Sequence, residues 1–122
     1  MQDMVLVAGS RSLTNEELVW DLLDGAGLEG YETLIQGGAR GIDTLAGNWG
    51  RARGMAVTQI DAEWAKYGKS AGYKRNLVML DMVHRVIVIW DGKSPGSRHT
   101  IEQAKKLGKR LTVFTVSATE GN

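Results

Sequence analysis

The residues of this sequence best suited to chemistry stand in three glycine- or serine-rich stretches: GSRSLT (Gly9 to Thr14), GGARGID (Gly37 to Asp43) and DGKSPGSRHT (Asp91 to Thr100). Each combines small residues with a cation. Lacking a Cβ, glycine lets a phosphate approach backbone amides closely, and Arg11, Arg40, Lys93 and Arg98 are available to add charge. The chemistry implied is the binding of a phosphate-bearing ligand, with Gly9, Ser10, Gly37, Gly38, Ala39, Gly41, Gly96, Ser97 and Thr100 supplying its cradle. None of the stretches is a Walker A or GxGxxG sequence, so neither ATP hydrolysis nor dinucleotide binding of the NAD type has specific support. No cofactor is expected.

The acidic candidates are Asp43, Asp61, Glu63, Asp91 and Glu102. Asp43, in the first turn of a helix, reads most simply as a dipole partner or an amide acceptor that fixes its loop. Glu102 follows Arg98 by four residues and reads as half of a solvated ion pair. His84 and His99 have no partner at metal-ligand spacing, so no metal is expected.

These stretches need elements to hold them. Met4–Ala8, Glu32–Gln36, Met55–Ile60, Arg85–Trp90 and Leu111–Val116 are short and rich in β-branched residues, with helical patterns between them. Thr14 and Glu17 have capping-box spacing ahead of a first helix that stops near Gly25 to Gly27. Further helices are predicted over Ile42–Arg53, Ala71–Val83 and Ser97–Leu107. Five strands alternating with four helices predict an α/β, Rossmann-like three-layer fold: a mostly parallel sheet, order 3-2-1-4-5, with helices on both faces. In that order the three stretches converge beyond the carboxyl ends of adjacent strands, each delivering a helix N-terminus that favours an anion.

The third predicted helix adds two candidates. Arg75 lies in line with Met79 and Met82, and Asn76 with Leu80 and Val83, so polar residues crown apolar stripes. Both either project into the crevice or satisfy strand-end carbonyls. Upstream, AEWAKYGKSAG reads as a loop whose Trp64 either stacks on a base or closes the top of the core.

The chain has 122 residues, a net charge of +1, 16 glycines, a single proline and no cysteine. Its length suits one domain, taken as 1–116, with 117–122 a flexible tail. Without cysteine there are no disulfides and no thiolate chemistry, which fits the cytoplasm. No run approaches the roughly 20 apolar residues of a membrane span, and the near-neutral charge gives no nucleic-acid footprint.

Together these residues resemble the Rossmann-like SLOG superfamily, which includes the LOG phosphoribohydrolases and the DNA-processing protein DprA, and most closely its small YspA-type branch. The resemblance runs from VAGSRS through GGARGID and AEWAKYGKSAGYKRNLVM to WDGKSPGSRHTIEQAKKLGK. It implies a protein that binds a nucleotide or a nucleotide-derived, ADP-ribose-like ligand as a sensor or sequestering module. The alternatives it implies are a LOG-type nucleotide N-glycosidase and a DprA-like single-strand DNA binder. Arg75 and Met79 match the RxxxM pattern of the LOG enzymes, and Gly96 and Ser97 match the GT step of their PGGxGTxxE motif, but Thr100 stands where that motif has glutamate. Hydrolysis would then have to use Asp91 or Asp43. In the binding mode expected, Arg11 and Arg75 pair with phosphate, and an Arg75→Ala change leaves the melting temperature of the free protein nearly unaltered. Relatives further imply a homodimer or higher oligomer, consistent with the nearly all-apolar run Leu77, Val78, Met79, Leu80, Met82, Val83.

Overall fold

The structure is a computed structural model that describes residues 3–117 and Thr119. Strands β1 (Met4–Gly9), β2 (Thr33–Gln36), β3 (Ala56–Gln59), β4 (Arg85–Trp90) and β5 (Arg110–Thr115) form one sheet in the order β3-β2-β1-β4-β5, every pairing parallel. Leu6 of the central strand pairs with Ile35 on one side and Val86 on the other. This is the α/β, Rossmann-like arrangement and strand order predicted from the sequence. Helices α1 (Glu16–Asp24), α2 (Ile42–Ala52), α3 (Trp64–Tyr67), α4 (Ala71–Met82) and α5 (Pro95–Lys106) surround the sheet.

Strand alternation divides the core into two layers. Val5 and Val7 of β1, with Ile87 and Ile89 of β4, meet Val19 and Leu23 of α1 and Ile42, Ala46 and Trp49 of α2. Leu6 and Ala8, with Val86 and Val88, meet Met79 and Leu80 of α4 and Ile101 and Ala104 of α5. Successive strand residues point to opposite faces, so a strand covered on both sides must be apolar throughout. That is why MVLVA and RVIVIW read as continuous apolar runs.

Several boundaries differ from expectation. The cap of α1 is Asn15, whose side chain accepts from the Leu18 amide at 3.1 Å, and not Thr14. Asparagine caps at least as well as threonine, and starting one residue later puts Glu16 and Glu17 in the first turn. The Trp64 segment is a helical turn followed by a 3-10 turn at Gly68–Ser70. Gly68, at φ 57, ends it. Helix α5 begins at Pro95 rather than Ser97, because proline's fixed φ suits the first helical position. Of the expected tail, Ser117 and Thr119 are described; the remainder lies outside the described residues. Among the described residues no helix is long and apolar enough to cross a membrane.

Candidate functional site

A crevice of about 720 Å³ opens above the carboxyl ends of β1 and β4, where strand order reverses. Its walls come from the loops after β1 and β4, the loop between β2 and α2, Trp64 of α3, and the first two turns of α4 and α5. Ser10 ties these loops together. Its amide donates to the Ile89 carbonyl at 3.1 Å, its hydroxyl accepts from the Asp91 amide at 3.0 Å, and its carbonyl accepts from the amides of Leu13 and Ile42. The Ser10 side chain is buried.

Most residues singled out from the sequence line this crevice: Gly9, Ser10, Arg11, Ala39, Arg40, Asp43, Trp64, Arg75, Asn76, Asp91, Gly96, Ser97 and Thr100. Gly37, Gly38 and Gly41 do not. A Cβ on Gly37 would stand 2.7 Å from the Arg75 guanidinium and 3.0 Å from the Asp43 carboxylate. Gly38 turns its amide to the Gln36 side chain. Gly41 has φ +73, and a Cβ there would meet the carbonyls of Ser10 and Arg11. At Gly37, Gly38 and Gly41 the bare backbone lets the protein's own groups approach closely. Lys93 and Arg98 also lie off the wall; Arg98 rests over the Trp90 ring at 5.7 Å, and among the described residues it forms no ion pair with Glu102.

Arg75 has an internal task. Its Nη1 donates to the Gly37 carbonyl and its Nε to Asn76 Oδ1 at 3.3 Å, bracing α4 against the loop after β2. Burial pushes its pKa down, with the nearby Asp43 charge opposing, but guanidinium stays protonated at any ordinary pH. Arg40 is exposed at the rim and makes no ion pair among the described residues.

The two carboxyl groups sit in opposite environments. Asp43 is buried and accepts from the Ala39 amide at 3.2 Å. Burial drives its pKa up to about 6, against the pull of that amide, of the Arg75 and Arg11 charges and of the Gly37 amide. Burial would raise Asp91 too, but the Ser94 and Lys93 amides, both at 2.8 Å, and the Ser94 and Ser12 hydroxyls prevail and hold it well below the usual carboxylate range. Asp91 is thus a permanently ionised brace for its turn. Asp43 can gain and lose a proton near neutral pH.

At the α5 end, no acceptor among the described residues takes the amides of Gly96 and Ser97, which are among the orphan donors every helix start presents. A Cβ on Gly96 would meet nothing within 4 Å. The buried Thr100 hydroxyl donates to the Gly96 carbonyl at 3.2 Å, so it is spent on its own helix. Asn76 Nδ2 lies 3.3 Å from His99 Nδ1, and the His99 ring stacks on Tyr73 at 4.3 Å. Burial lowers the His99 pKa, with Glu102 opposing.

Ser12, Gly72, Tyr73, Ser94 and Pro95, which were not named as site candidates from the sequence, also line the crevice, with Lys69 and Met79. Gly72 and Tyr73 were findable, since they share the first turn of α4 with Arg75. Ser12 and Ser94 stood inside the quoted loops.

The profile of the YspA, cpYpsA-related SLOG family (YAcAr) matches residues 4–67, just over half of the chain. The Gene 61 protein of Mycobacterium phage D29 is 37% identical over 112 residues, which cover 85% of this chain and 90% of the phage protein. The chain belongs to the YspA, cpYpsA-related SLOG family. Membership marks it as a nucleotide-related Rossmann-like protein. The profile match covers the β1 and β2 loops and Trp64; Arg75, Asn76 and Thr100 lie beyond it, within the half that α4 and α5 build.

Proposed function

We propose that the crevice binds a phosphate-bearing nucleotide or nucleotide-derived ligand, of ADP-ribose-like type, and that the protein serves as a sensor or sequestering module for it. One observation carries this reading: Gly96 and Ser97, whose amides have no acceptor among the described residues, line the same crevice that Trp64 and Tyr73, 53% and 45% exposed, flank with aromatic surface. A helix N-terminus suits the phosphate, exposed rings suit a base, and the volume falls within the range of small-ligand sites. Arg11, Arg40 and Lys69 supply charge from the rim.

The test is calorimetric titration of AMP and ADP-ribose into the wild type and Gly96→Val. The valine side chain enters open space, so the free protein should melt within about 2 °C of wild type while affinity falls at least roughly tenfold, the equivalent of about 1.4 kcal/mol. Undiminished binding by the variant would refute the placement of the phosphate.

Asp43 favours a second reading, cleavage of the ligand's N-glycosidic bond, because a pocket carboxyl with a pKa of about 6 can deliver a proton to a departing base. Incubation with AMP, CMP and NAD, followed by chromatography for free base or nicotinamide, separates the two. Turnover that Asp43→Asn abolishes favours the enzyme; no release from any of them leaves the binding module.

A further inference from the structure

Two arginines reach the crevice from adjoining loops. Arg11 follows β1, Arg40 follows β2, and both line the crevice wall. Gly41 makes this approach possible. At φ +73 its bare α-carbon lies against the Arg11 turn, where a Cβ would stand 2.5 Å from the Arg11 carbonyl oxygen. Arg40, the residue before it, is thereby carried to the backbone beside Arg11. Both residues are exposed, and among the described residues neither forms an ion pair. The carboxylates of the neighbouring loops are engaged elsewhere. Asp43 accepts from the Ala39 amide at 3.2 Å, Asp61 from Gln59 Nε2 at 2.8 Å, and Asp91 from the amides of its own turn. Arg11, Arg40, Lys69 and Arg75 line the crevice against Asp43 and Asp91; four cations against two carboxylates leave a surplus of two, in a chain whose net charge is +1. Clefts that gather one sign of charge draw in ligands of the opposite sign.

We infer that Arg11 and Arg40 together form a second phosphoryl subsite, so that the crevice takes a nucleotide bearing two phosphoryl groups, one at the start of α5 and one at this arginine pair. The subsite belongs to the nucleotide crevice proposed above and rests on that reading. Strand order sets the two positions apart. β1 lies between β2 and β4, so the loop carrying Arg40 and the loop carrying Gly96 and Ser97 are two strand spacings apart, about 10 Å. A phosphate on the α5 amides stands at one end of this span and the arginine pair at the other. Guanidinium is planar and always charged, and its parallel N–H donors fit two phosphoryl oxygens at once. Two classes of nucleotide present this chemistry. A 5′-diphosphate carries its second phosphoryl group directly after the first, and the pyrophosphate of an ADP-ribose-like ligand belongs with it. A 3′,5′-bisphosphate carries its two groups on opposite sides of the ribose.

Calorimetric titration of the full chain with AMP, ADP and adenosine 3′,5′-bisphosphate tests this. At least one of the two doubly phosphorylated ligands should bind about tenfold or more tightly than AMP, the gain expected of hydrogen bonds to a charged group. Which of them does so identifies where the second group sits. In Arg40→Gln and Arg11→Gln that ratio should fall towards one. Both residues are exposed and outside any ion pair among the described residues, so these variants should melt within about 2 °C of wild type. Arg51→Gln removes the same charge from the last turn of α2, off the crevice, and should leave the ratio as in wild type. AMP binding with no gain from either second phosphoryl group overturns the subsite and leaves the nucleotide crevice standing. So does a gain that survives both arginine changes, or one that Arg51→Gln reduces equally. A wild type that binds none of the three ligands overturns the nucleotide crevice, and the subsite with it.

Discussion

Replacing Asp43 with asparagine should stabilise the protein, and by an amount that grows with pH. The carboxyl titrates near 6 in the folded chain against 3.8 in the unfolded one. At 1.36 kcal/mol per decade, the difference is worth about 3 kcal/mol. Below pH 3.8 both states hold the proton and the site costs nothing. Between 3.8 and 6 the unfolded state ionises first, so it binds fewer protons and stability falls as pH rises. Above 6 the whole cost is present. Asparagine resembles the protonated acid, keeps an oxygen for the Ala39 amide, and does not titrate. The asparagine variant should therefore gain about 2.5 kcal/mol relative to wild type between pH 4 and pH 7.5, because part of the cost is already present at pH 4, the loss of any fixed contact cancelling across the series. For a chain of this length that is roughly 10 °C in melting temperature. Thermal melts of both proteins followed by circular dichroism across that range read the difference directly, since every other titrating group is common to the pair. Two melting curves that stay parallel with pH would refute the buried, proton-holding state of Asp43. If the curves diverge as expected, the chain carries a destabilising carboxyl at its crevice, the pattern found where a site is kept for function at the cost of stability.

Arg75→Ala removes the bond to the Gly37 carbonyl and strips Asp43 of its nearest cation. Urea unfolding at pH 7 should show a loss of about 1–3 kcal/mol, where the sequence alone predicted almost none. Asn15→Ala deletes the cap of α1 and should cost about 1 kcal/mol in the same assay. Gly41→Ala forces a positive φ on alanine and drives its Cβ against the Ser10 and Arg11 carbonyls; a loss of roughly 2 kcal/mol or more is expected, and a melting temperature equal to wild type would contradict the loop geometry.

The fold was legible because its signals are local. Strands buried on both faces read as near-continuous apolar runs, so MVLVA and the VIVIW that follows Arg85 declare themselves. The turn residues at their ends then place the loops, and a sheet with strand order 3-2-1-4-5 brings those loops to one edge. The position of the crevice and the residues around it follow largely from that. Less legible was the choice between neighbouring caps, Thr14 or Asn15, because both residues are competent and only the path of the entering chain selects one.

The sequence by itself determined the sheet, its order and the edge where the crevice opens, since hydrophobic period and turn chemistry act over a few residues at a time. Tertiary structure alone decided what each polar group does there. Gly37 is bare because Arg75, thirty-eight positions later, lies against it. Asp91 is spent on its own turn just after β4, while Asp43, in the first turn of α2, is buried and its carboxyl is pushed up to about 6. Desolvation and hydrogen bonding depend on which distant groups close over a side chain, and no local pattern of residues carries that information.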